Sequence, residues 1–231
     1  DVRHRFPGVR DGWARFDGPA GTQMVDVAIR AASEWSASGN NANTHGAFAA
    51  ANATDDLLER ARGVVAQLLD ADPQSVVFGA NMTTLTFAFT RAVARTLQPG
   101  DRVVGTRLDH DANVSPWRIA CEESGAEHVL APFSTVDGRL DMDALAALIT
   151  SNTKWVAVTG ASNLIGTMPD VKAVVALAHR VGARVFVDAV HLAPHMPVSV
   201  RDIGCDVLAK LQPDTHRRHL PEQNLSVEEE S

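Results

Sequence analysis

The sequence predicts an α/β fold, a mostly parallel sheet flanked by helices. Three observations predict it. Short apolar runs of strand length recur along the chain, stretches with helical apolar spacing separate them, and Gly, Pro or Asp punctuates the joins. Strands covered on both faces read as such continuous apolar runs rather than as an alternating pattern. At 231 residues the chain is long enough to bury a sizeable core in one large domain or two small ones.

Taken in order, Ala53–Asp70 reads as a helix, with Leu57, Leu58, Ala61, Val64, Val65, Leu68 and Leu69 on one stripe and Thr54 as its N-cap ahead of Asp55 and Asp56. Val76–Phe78 reads as a short strand, and Thr83–Leu97 as a helix that stops at Pro99-Gly100. Arg102–Thr106 is the next strand, then a helix over Pro116–Glu123 and a strand over His128–Ala131, with a turn near Asp137-Gly138. Asp141–Ile149 reads as an Asp-capped helix and Trp155–Thr159 as an apolar strand. Val171–Arg180 is a helix stopped by Gly182; Arg184–Val187 is a strand ending at Asp188, and Asp206–Ala209 is another. From Pro213 to Ser231 the aliphatics are isolated and the end is acidic, so 213–231 reads as a disordered tail after a domain covering 1–212.

Composition narrows the function. A net charge of −7 argues against nucleic acid and against an anionic membrane surface, since both demand a basic face. No apolar run approaches the roughly 20 residues of a bilayer span, and the basic N-terminus lacks the apolar core of a secretory signal. The first residue is Asp, which reads as a processed, trimmed or partial sequence. The two cysteines, Cys121 and Cys205, have no metal-type spacing and read as reduced, buried thiols of a cytoplasmic protein. Only three residues are Lys, at 154, 172 and 210, so few amines are available as nucleophiles.

Ligands of such sheets bind beyond the carboxyl ends of the strands, so the polar residues there come first. Gly79-Ala80-Asn81-Met82-Thr83-Thr84 opens a helix, and its free N–H groups suit a phosphate, though an ordinary capped turn has the same look. Asp109-His110-Asp111-Ala112-Asn113 offers an imidazole that could stack on a flat ring or move a proton; a surface loop with a capping Asp is the plain alternative. Ser162-Asn163 offers a carboxamide or simply a turn. Asp188-Ala189-Val190-His191 is the least ordinary, because a carboxylate directly after a buried strand is costly without a donor or a cation. Asp188, His191 and His195 also allow a metal reading, which Pro194 and Pro197 weaken by disfavouring a regular helix.

In order and spacing, FGANMTTLTFA, RLDHDANVSPW, VAVTGASNLIGT and VFVDAVHLAPH resemble the pyridoxal-phosphate enzymes of fold-type I, in the class V aminotransferase family with its cysteine desulfurases. FDGPAGT and NNANTHG extend the resemblance over about Asp11 to Ala209. It implies the large domain of a fold-type I transferase, pyridoxal 5'-phosphate as cofactor, a small amino-acid substrate and a homodimer. Residue by residue, it implies that Met82 and Thr83 cradle the phosphate and that His110 stacks on the pyridine ring. It further implies that Asn163 bonds the ring hydroxyl, that Asp188 pairs with the ring nitrogen, and that His191 stands where desulfurases carry Gln near that hydroxyl.

The resemblance breaks at the lysine that forms the Schiff base with the cofactor. The family carries it after the strand that is Asp206–Ala209 here; alignment brings it near position 214, which is Asp, and the chain instead reads Lys210-Leu211-Gln212-Pro213-Asp214. The family's small C-terminal domain, source of the arginine for the substrate carboxylate, is missing as well. Lys210 alone lies near the right strand end, with Lys154 at the opposite end and Lys172 in a helix. Two expectations follow: an impaired class V enzyme in which His110 and Lys210 are the catalytic candidates, or a non-catalytic remnant that binds the cofactor or dimerises.

Overall fold

The structure is a computed structural model that describes residues 2–9, 11–16, 18 and 21–210. The expected tail, 213–231, lies outside the described residues. The described residues divide into two compact units, those up to residue 32 and those from 33 to 210. In the first, two short 3-10 turns, Arg3–Arg5 and Pro7–Val9, precede the start of helix α1 (Asp26–Ala37), and Arg5 Nε donates to Asp26 at 2.9 Å.

The second unit holds helices α2 (Ala49–Leu69), α3 (Met82–Ala94), α4 (Ser115–Ser124), α5 (Met142–Leu148), α6 (Val171–His179) and α7 (Val200–Ile203). Strands β1 (Arg102–Thr106), β2 (Glu127–Ala131), β3 (Thr153–Thr159), β4 (Arg184–Asp188) and β5 (Val207–Ala209) form one five-stranded sheet in the order β2-β1-β3-β4-β5. Every pairing in it is parallel. This is the predicted class, and the predicted strands from Arg102 onward all appear within two residues of their expected ends.

The side-chain period of two sorts the strand residues onto two faces. Val104, Val156, Val158, Val185 and Val187 pack with Leu145 of α5 and Val174 of α6. Their neighbours Val103, Trp155, Ala157 and Phe186 pack with Met82 and Val93 of α3 and Trp117 and Cys121 of α4. Both faces are therefore covered, which is why the strands read as unbroken apolar runs. Asp141 caps α5 as expected, its Oδ1 accepting from Ala144 N at 2.9 Å, and Asp170 caps α6 through Ala173 N at 3.0 Å.

Three local expectations are corrected. Val76–Phe78 is not a strand: it pairs with none among the described residues, and Val77 is 73% exposed, so no burial drives it into the sheet. Thr54 is not an N-cap. The helix already starts after extended Phe48, and the Thr54 hydroxyl shares its one proton between the carbonyls of Ala42 (3.0 Å) in the preceding loop and Ala50 (3.1 Å) in the helix. Of the predicted stripe on α2, Val65 and Leu69 are buried, whereas Leu57, Val64 and Leu68 are exposed. Among the described residues no helix is long and apolar enough to cross a membrane.

His128 on β2 has a buried Nε2 with no hydrogen-bond partner, facing Gly105 of β1. Burial, helped by the charge of Arg118, holds its pKa below the ordinary value. The unfolded chain, with His near 6.5, then takes up a proton more readily than the folded one as pH falls. The stability contribution is complete above about pH 6.5 and is lost as pH drops toward the lower folded value. The urea midpoint is therefore expected to fall more steeply from pH 7.5 to 5.5 in the natural chain than in His128→Leu; parallel slopes would count against this account.

Candidate functional site

In the order β2-β1-β3-β4-β5 the chain moves outward from β1 to β2 and then returns to the other side of β1. The direction of winding thus reverses between β1 and β3, and ligands of such sheets bind beyond the carboxyl ends of the strands at that switch point. His110 follows β1, Asn163 follows β3, Asp188 ends β4 and Lys210 follows β5. Because all strands are parallel, these residues share one end of the sheet. Asp188 is opposite Ala209 in register, and Ala189 N donates to Ala209 O at 2.8 Å, which sets Lys210 immediately beyond that pair. Gly160 N donates to Asp188 O at 2.7 Å and ties the start of the Asn163 loop to the same place.

Asp188 is 5% exposed, and its Oδ1 accepts from Val190 N at 2.9 Å. Burial pushes its carboxyl above the ordinary range, opposed by that hydrogen bond and by the charge of His110. Among the described residues no Lys or Arg forms an ion pair with it. His191 is held below the ordinary histidine value by burial, then by the charges of His110 and His195, which places these rings within electrostatic reach of one another. The ring of His110 is exposed, while its Nδ1 accepts from Ala112 N at 3.1 Å. Asn163 is half-buried in a loop closed by Ser162 N to Thr167 O (2.9 Å) and Gly166 N to Ser162 O (3.0 Å).

The Met82 side chain is buried in the cluster that contains Ala112, Val190 and Ala209, so the start of α3 packs against the turns that follow β1, β4 and β5. Asn81 caps this helix through Thr84 N at 2.8 Å, and its carbonyl takes the first intrahelical bond from Leu85 N. The N–H groups of Met82 and Thr83 precede that bond and carry the positive end of the helix dipole. Lys210 is half-buried, and burial lowers its ammonium pKa. Lys154 and Lys172 are engaged elsewhere, with Asp101 at 3.5 Å and Asp202 at 2.7 Å. Both cysteines are buried, and burial pushes each thiol up to about 11. Residues 190–195 form turns rather than a regular helix, and among the described residues no cluster of three or more His, Cys, Asp or Glu is placed to hold a metal ion.

The loop reading missed Asp109. Its carboxyl is bonded by the Thr106 hydroxyl and by Asn113 Nδ2 (2.7 Å), and burial pushes it up to about 8, with the nearby charge of Asp188 adding to the effect. A signal was present in the spacing of Asp109, Asn113 and Trp117, but its meaning depends on which of them are buried.

A comparison of the sequence with known families matches residues 15–210 to "Aminotransferase class-V". The chain belongs to this family. Among curated proteins, the class V chain is 36% identical over 208 residues to an uncharacterized protein of Mycobacterium tuberculosis, covering 90% of this chain and 52% of that one. It is 37% identical over 195 residues to a "Probable cysteine desulfurase" of Mycolicibacterium paratuberculosis, covering 83% of this chain and 28% of the other. Its fold superimposes with a TM-score of 0.80 on the cysteine desulfurase CsdA of Escherichia coli, at 28% identity, over 90% of this chain and 53% of that one. The class V chain thus spans about half the length, or less, of these relatives.

Proposed function

We propose that the chain is part of a pyridoxal-phosphate-dependent class V enzyme of the cysteine desulfurase-like branch, acting on a small amino acid. Residues 1–212 form part of its large domain. The observation that carries the reading is Asp188: a buried carboxylate at the sheet end, with a backbone N–H as donor and no basic side chain paired to it among the described residues. Such a group calls for a cation, and a protonated pyridine nitrogen is one. The other donors fit the same molecule. The free N–H groups at the start of α3 suit a phosphate, the exposed face of His110 suits a flat ring, and the carboxamide of Asn163 with the imidazole of His191 suits a ring hydroxyl.

Bound there, pyridoxal phosphate supplies an electron sink for a carbanion at the substrate's α-carbon. The chain's own residues do the rest. Asp188 holds the proton on the ring nitrogen, His110 covers the ring, and Met82 and Thr83 hold the phosphate through their N–H groups. Lys210 is the candidate amine. Its pKa, lowered by burial, raises the neutral fraction of Nζ that can attack a carbonyl or take up the α-proton. Turnover is slow in this reading, because Lys210-Leu211-Gln212-Pro213-Asp214 departs from the family's polar lysine stretch. That same departure favours the second reading, a cofactor-binding or dimerising remnant. A homodimer accords with the exposed apolar face of α2. A cytoplasmic setting accords with two unpaired thiols.

The test is the visible absorbance of the chain with added pyridoxal phosphate, followed by borohydride reduction and peptide mapping, with L-cysteine or L-alanine as substrate. The expected result is a borohydride-sensitive band, an adduct mapped to Lys210 and lost in Lys210→Ala, and turnover well below that of a full-length desulfurase. Binding without any adduct supports the remnant; no binding at all sinks the enzyme and leaves only a remnant that dimerises.

A further inference from the structure

The turn that carries His110 is braced from the core by a run of hydrogen bonds. Trp117, fully buried on α4, stands edge-on to Phe89 (centroids 6.0 Å apart, 74°) and to Phe186 (5.6 Å, 77°). Its Nε1–H donates to Asn113 Oδ1 at 3.2 Å, and Asn113 Nδ2 donates to Asp109 Oδ1 at 2.7 Å. The other oxygen of Asp109 accepts from the hydroxyl of Thr106, at the end of β1, which in turn accepts from Leu108 N at 3.1 Å. Thr106 and Asn113 are fully buried. Asp109 is thus gripped on one side by the strand and on the other by the turn at Asp111–Asn113. In that turn the His110 Nδ1 accepts from Ala112 N. A ring nitrogen that accepts from an N–H carries no proton, so neutral His110 is the Nε2–H tautomer.

We propose that Asp109 is a positioning residue: by joining Thr106 to Asn113 it fixes the turn at 110–113, and with it the orientation and the Nε2–H tautomer of the His110 ring. The importance of this clamp rests on the reading above, in which His110 covers the cofactor; the clamp itself is testable without cofactor. Both oxygens of Asp109 receive donors, so Asp109→Ala leaves Thr106 and Asn113 without their acceptor. Asp109→Asn keeps a carbonyl for Asn113 Nδ2 and offers an N–H to Thr106 Oγ1, which has a lone pair to spare beside the Leu108 N–H.

The experiment is nitrogen-15 NMR of the histidine rings in the cofactor-free chain at about pH 8, where an ordinary histidine is neutral, with that signal assigned through His110→Gln. The natural chain is expected to show His110 almost wholly as Nε2–H. Asp109→Ala shifts it to a mixture of both tautomers, Thr106→Val, which removes one arm of the clamp, shifts it part of the way, and Asp109→Asn restores the natural pattern. The inference is overturned by an unchanged pattern in a folded Asp109→Ala. If that variant does not fold, an unchanged pattern in Thr106→Val overturns it equally. It is also overturned if folded Asp109→Asn loses the pattern as fully as the alanine variant. A chain that binds no pyridoxal phosphate but shows this tautomer series retires the proposed function and leaves the clamp standing.

Discussion

Replacing Asp188 with Asn is expected to lower the affinity for pyridoxal phosphate by on the order of a hundredfold, while making the cofactor-free chain more stable at neutral pH. The two effects share one cause. The carboxyl is buried at the end of β4, and its oxygen accepts from Val190 N, a bond that Asn can also accept. Only the charge is lost. Burial raises the folded pKa above the ordinary carboxylate value of about 3.9. The folded chain therefore holds this proton more tightly than the unfolded chain. The group's stabilising contribution is complete below about pH 3.9 and is lost as pH rises through the folded value. Above the ordinary carboxylate value the raised pKa works against folding, and a neutral amide removes that penalty. With cofactor present the same negative charge meets a ring cation, and Asn forfeits that pairing. Thermal melts at pH 5 and 8 without cofactor, with absorbance titrations of pyridoxal phosphate, measure both. Asp188→Asn that binds as tightly as the natural chain removes the main support for the proposed site.

Trp117→Ala is expected to cost about 3–5 kcal/mol of folding stability, a large share of what a domain of this size has. Trp117 is fully buried between α3, α4 and the sheet, in contact with Phe89, Trp155 and Phe186. Its removal leaves a cavity in the middle of one helix layer and takes the donor from Asn113 Oδ1. Trp117→Phe separates these effects: it keeps most of the apolar volume and loses only the N–H, for about 1–3 kcal/mol. Urea unfolding followed by circular dichroism gives the two values. Equal losses in both variants would show that packing contributes nothing beyond the hydrogen bond.

Much of the architecture was legible in the sequence, because strands covered on both faces leave a simple trace. Val103-Val104, Val156 to Val158 and Val185 to Val187 are apolar at every position, since each neighbour faces a different helix layer. The polar residues that end those strands stand out against them, so His110, Asn163 and Asp188 were visible as candidates. Val76–Phe78 misled because three apolar residues in a row look the same with or without a partner strand, and pairing is a property of distant residues. The exposed half of the α2 stripe misled in a similar way, since periodicity records a face but not what covers it. Asp109 was hidden for a further reason. A capping aspartate and a clamped one have the same letters, and only the burial of Thr106 and Asn113 tells them apart.

The position of β1 between β2 and β3 has a consequence for synthesis on the ribosome. Once Ala131 has emerged, β1 and β2 can pair, but the other edge of β1, with the backbone groups that pair with β3, stays open until β3 follows. A nascent chain that stalls between Ala131 and Thr153 therefore presents a bare strand edge to its surroundings, the kind of surface that recruits foreign strands. The chain has need of a chaperone at that intermediate length, while β1 waits for its second neighbour.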